Sequence, residues 1–113
     1  MRIAFALLLA CALSAATPRT LRLDYVHGGD AKSETFAVAR VVEEPLPWPG
    51  DPDRAVDDSN LGKYKAEVRD ADGKVLYSRG FASIFGEWQD TDEATKLQRA
   101  FEESVRFPEP AGP

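Results

Sequence analysis

The sequence predicts a mainly β fold: a two-layer β-sandwich-like domain with one C-terminal amphipathic helix, an α+β single sheet being the alternative. Three observations lead there. Thr20 to Tyr25 and Lys63 to Arg69 alternate apolar and polar side chains with period two. Thr35 to Val42 is a run rich in β-forming residues. Only the stretch after Asp90 carries a helical apolar stripe, and one short helix is too small to cover every apolar strand face, so the strands must pack on one another.

The elements follow in chain order. Alternation places Leu21, Leu23 and Tyr25 on one face of a first strand, which His27-Gly28-Gly29-Asp30 is expected to end. Thr35 to Val42 carries apolar residues on both faces, as a more buried strand would, and Glu43-Glu44 is expected to stop it. Pro45, Pro47, Pro49 and Pro52 then predict a long loop to Asn60, pinned to the core by Trp48. Lys63 to Arg69 and Lys74 to Arg79 form a hairpin about Asp70-Ala71-Asp72-Gly73. A type I′ loop there sets Val68 opposite Tyr77, whereas a type I turn running from Asp70 to Gly73 and into a bulge sets it opposite Leu76. The second is favoured, because Asp at the first position and Gly at the fourth suit that turn. Asp90 as N-cap, with Glu93 completing a capping box, predicts a helix to about Ser104 with Ala94, Leu97, Phe101 and Val105 as its stripe. Residues 109–113 read as a linker or truncated end.

Residues 1–16 have the form of a signal peptide: Met1-Arg2, an apolar run from Ile3 to Leu13, and the small residues Ser14-Ala15-Ala16. The run is too short to span a bilayer as a helix. Export to the cell envelope or the outside is therefore expected, with residues 17–108 as the domain. Cys11 is the only cysteine, so no intramolecular disulfide and no cysteine zinc site can form. Leu8-Leu9-Ala10-Cys11 also resembles a bacterial lipobox, although Leu9 is bulky for it. A membrane is a partner only if Cys11 is lipidated. The formal charge of −5 argues against nucleic acid as a partner.

The chemistry that the chain can support is narrow. His27 is its only histidine, which excludes an HExxH zinc helix and the Ser/His and Cys/His nucleophile pairs. Beside its glycines it reads as a strand-end turn residue, and those glycines lack the spacing and lysine of a phosphate loop. Asp51, Asp53, Asp57, Asp58 and Asn60 invite a calcium reading, but the EF-hand pattern fails at Ala55, Val56 and Gly62. A solvated loop capping its own backbone is the alternative. Tyr64, Tyr77, Phe81, Phe85 and Trp88 suit core packing, with a stacking platform for sugar or peptide as the rival reading.

The most distinctive stretch is Ser78 to Trp88, where Phe81, Ile84, Phe85 and Trp88 crowd around Gly80 and Gly86. With Leu21 to Tyr25, His27 to Lys32, Asn60 to Tyr64, Leu76 to Phe81 and Glu103 to Pro108, it resembles the amino-terminal accessory domain of the IgA-peptidase family of secreted bacterial zinc metallopeptidases. The resemblance implies a β-sandwich module that precedes a catalytic domain. That domain would carry both the zinc and the proteolytic chemistry, so none of the catalytic, cofactor or metal residues fall in this chain, which is not itself an enzyme. The expected partner is the peptidase domain, downstream or in trans, and Phe81, Ile84, Phe85 and Trp88 are the expected docking residues. A stand-alone exported peptide- or glycan-binding module, with a groove at Trp48 or Trp88, is the alternative.

Overall fold

A computed structural model describes residues 17–111. The expected signal peptide, with Cys11, and the last two residues lie outside the described residues. The fold is mainly β, with two antiparallel sheets. Strands β1 (Arg19–Gly29), β2 (Glu34–Pro47) and β5 (Arg99–Pro108) form one sheet in the order β2-β1-β5. Strands β3 (Tyr64–Arg69) and β4 (Val75–Phe81) form the other. A short helix, α1 (Ile84–Gln89), and a 3₁₀ turn (Glu93–Thr95) connect β4 to β5.

Two expectations about the first sheet are overturned. The helix expected from Asp90 to Ser104 is not formed: Arg99–Pro108 is a strand, paired with β1 from Thr20↔Pro108 to Gly29↔Arg99. Ladder pairing outweighs the helical stripe, because without β5 the central strand β1 would leave one edge of backbone donors and acceptors unpaired. The strand was disguised by Glu103, an acid in the inward register of Phe101, Val105 and Phe107. The second correction concerns β2. It lies at the sheet edge rather than in a buried position, and it continues past Glu43-Glu44 to Pro47. Prolines are tolerated at such an edge because no ladder donor is needed there.

The helix that does form starts earlier. Ser83 is its N-cap, its Oγ accepting from the Gly86 N–H at 3.0 Å. Asp90 is the C-cap instead. Glu93, freed from any capping box, accepts from the Trp88 indole at 2.9 Å and from Arg99 at 3.0 Å.

The hairpin follows the favoured turn and the rival's register. The Gly73 N–H donates to the Asp70 carbonyl at 3.0 Å, and Gly73 has φ 85°. Arg69 accordingly faces Val75, but a bulge follows and Val68 pairs with Tyr77. Trp48 pins its loop as expected. Its N–H donates to the Pro18 carbonyl at 2.8 Å, and its ring meets Tyr77 edge-on at 5.6 Å. The rest of that loop packs along β4, where the Leu61 carbonyl approaches Gly80 so closely that no Cβ would fit.

Candidate functional site

Alternation along β1 continues one step further than its apolar residues do. After Leu21, Leu23 and Tyr25 the same face receives His27, completely buried inside the strand and not in a turn. Its ring stacks between Phe36 of β2 at 4.1 Å and Phe85 of α1 at 4.2 Å, with Tyr64 of β3 edge-on at 5.1 Å. Both nitrogens face carboxylates: Nε2 lies 2.6 Å from Glu34 Oε1, and Nδ1 lies 2.9 Å from Glu103 Oε1. With both glutamates ionised, each contact is a hydrogen bond only if each nitrogen carries a proton.

Glu103 ties this centre to the helix as well, its other oxygen accepting from the Phe85 N–H at 3.1 Å. Burial works to raise the Glu103 carboxyl, but His27, the Phe85 N–H and the Tyr25 hydroxyl outweigh it and hold the group below its ordinary range. Burial likewise opposes ionisation of Glu34, and Tyr64 and His27 overcome it. Tyr64 Oη is buried without a well-aligned partner. Burial first, and then the Glu34 carboxylate, push this phenol up to about 12.

The chemistry open to this centre is structural. Aromatic rings cover the imidazole, so no substrate reaches it. The two glutamates lie at opposite ring nitrogens and cannot converge with His27 on one ion, and among the described residues no group of such side chains is placed to hold a metal. The sequence signal was present in retrospect. His27 and Glu103 each fall in the inward register of a strand and are paired across the ladder within one step, His27 facing Phe101 and Tyr25 facing Glu103.

Two carboxylates of the Asp-rich loop cap nearby backbone, within the loop and on β4. Asp51 accepts from the Asp53 N–H, and Asp57 accepts from the N–H groups of Ser59 and Gly80. The Ser59 hydroxyl, then these backbone donors, lower the Asp57 carboxyl to about 2. On the outer face of the first sheet, Asp24 accepts from Arg22, Arg40 and Ser104, all at 2.7 Å, joining three strands. Those bonds hold its carboxyl far below the usual range.

The four expected docking residues divide. Phe85 and Trp88 join Ala94 in the core cluster, Phe81 is half-buried against Tyr64, and Ile84 stands 61 % exposed. The larger exposed apolar set lies elsewhere, on β2. Phe36, Val38 and Val41 pair with His27, Tyr25 and Leu23 respectively, so all three share the face of the first sheet that carries the buried histidine. A bulge at Ala39 brings Val41 into that row. Val38 is 70 % exposed, and Leu46 near the end of the strand is 71 % exposed.

These features define a small, two-sheet β domain built around a buried histidine enclosed by two carboxylates and aromatic rings, with apolar side chains exposed along β2. The chain belongs to the family described as Peptidase M64 N-terminus, whose model matches residues 14–113. It is thus an amino-terminal domain of the IgA-peptidase family of metallopeptidases. Among curated proteins, no match to the chain was found.

Proposed function

We propose that this chain is a non-catalytic, exported accessory domain that docks and orients a zinc peptidase domain of the same gene product. The carrying observation is the apolar row on β2: three large side chains on one face of an edge strand, in a domain whose own core is small. Contiguous exposed apolar surface of this kind is characteristic of an interaction site, and membership of an amino-terminal peptidase family supports a peptidase domain as the occupant. In this reading the two sheets form a sandwich-like pair around His27, Tyr64 and Phe85. The second sheet, with only two strands, leaves the β2 side for the peptidase domain, and Ile84 adds to the contact. Zinc and proteolysis belong to that domain.

The test is the paired substitution of Val38→Asp with Val41→Asp. Both positions are exposed, so the fold should tolerate them within about 0.5 kcal/mol each. Affinity for the separately produced peptidase domain should fall roughly tenfold or more, as expected when charge enters the centre of an interface. Unchanged affinity would remove the docking reading.

A further inference from the structure

We propose a second, independent site: a peptide-binding groove beside β5 that takes an extended segment carrying an acidic side chain next to an apolar one. Between β5 and the face of the β3-β4 hairpin lies a cleft of about 430 Å³, lined by Trp48, Tyr77, Phe81 and Val105 together with Arg79 and Arg106. Among the described residues no acidic side chain lines it, although the chain as a whole carries −5.

Arg79 is the residue that calls for a ligand. In β4 it alternates with Tyr77 and Phe81, and its ladder partner is Ala66, so a guanidinium projects from the apolar face of the hairpin. Arg22, Arg40, Arg69, Arg99 and Arg106 all reach a carboxylate. Among the described residues Arg79 reaches none. Arg106 pairs with Glu44 at 2.6 Å and adds positive potential without being free. An unpaired cation on an aromatic face has a simple complement, a carboxylate flanked by an apolar group.

The shape of the site selects a peptide. Among the described residues β5 is paired on one side only, so alternate backbone donors and acceptors along that strand point away from β1, toward the space where another strand would lie. An extended peptide can pair with them, place one side chain against Trp48 and Tyr77, and bring its acid to Arg79. This is the strand-addition mode of recognition. A glycan would use the rings but neither the strand edge nor the positive charge.

The experiment selects a random twelve-residue peptide library displayed on phage against the immobilised chain and against its Arg79→Glu and Arg79→Met variants. Arg79 is exposed, and circular dichroism and the unfolding temperature verify that each variant is folded. The expected result is enrichment of sequences with Asp or Glu beside an aliphatic or aromatic residue. The best of these, made synthetically, should shift Trp48 fluorescence saturably and bind roughly tenfold or more weakly to Arg79→Glu. Backbone N-methylation at alternate positions should abolish its binding. Three results would each overturn the proposal: no enrichment over the bare surface, an unchanged peptide set with Arg79→Glu, or a saturable Trp48 response to oligosaccharides alone. Because the groove lies on β5 and the proposed docking row on β2, the Val38 and Val41 substitutions should leave peptide binding intact.

Discussion

Glu103 is an acid in the inward register of a strand, with its side chain only 8 % exposed. It is stable there because its oxygens answer His27 and the Phe85 N–H together. Replacing it with alanine leaves a buried imidazole and a buried amide without their partner. Glu103→Ala should therefore cost about 3 kcal/mol, read as a shift in the urea midpoint, with Glu103→Gln costing less. The same contacts set the pH response. Glu34 and Glu103 titrate below their ordinary value of 4.5 when folded, so at acid pH the unfolded chain takes up protons first. Stability is full above that value and declines as pH falls through the folded values, with Asp57 extending the decline toward pH 2. Glu103→Gln should flatten part of that slope, as measured by urea unfolding across the acid range. At this scale the sequence was hard to read. A lone histidine beside two glycines has the composition of a turn, and only its register, with that of Glu103, reveals the burial.

Among the elements, β1, β3 and β4 were legible because alternation and turn chemistry agreed. The Asp70–Gly73 turn is the clearest case, since both end residues are what its geometry asks for. The register beyond it was not legible, because the bulge that moves Val68 to Tyr77 depends on packing across the hairpin. Gly73 has open space around its α-carbon but a left-handed backbone. Gly73→Ala should thus cost about 1 kcal/mol from backbone strain alone, and Gly73→Asn measurably less, with thermal unfolding as the readout. The segment after Asp90 shows the opposite case. Its local signals favour a helix, yet the unsatisfied edge of β1 lies about 80 residues away in sequence, beyond the reach of any local pattern. The edge position of β2 is hidden in the sequence for a related reason: apolar residues on both faces fit a buried strand and also an edge awaiting a partner.

For the molecule as a whole, the mainly β class and the family were readable from the sequence, whereas the surfaces were not. Phe81, Ile84, Phe85 and Trp88 form a conspicuous sequence block, but Phe85 and Trp88 serve the domain's own core. The uncovered apolar row emerges only when β2 is placed at the sheet edge with its bulge in register. Whether this row receives the peptidase domain can be read from hydrogen–deuterium exchange on the chain with and without that domain. Slowed exchange is expected along Glu34–Pro47 and at Ile84, with β5 unchanged. A bound peptidase domain that leaves β2 exchanging as in the free chain would contradict it.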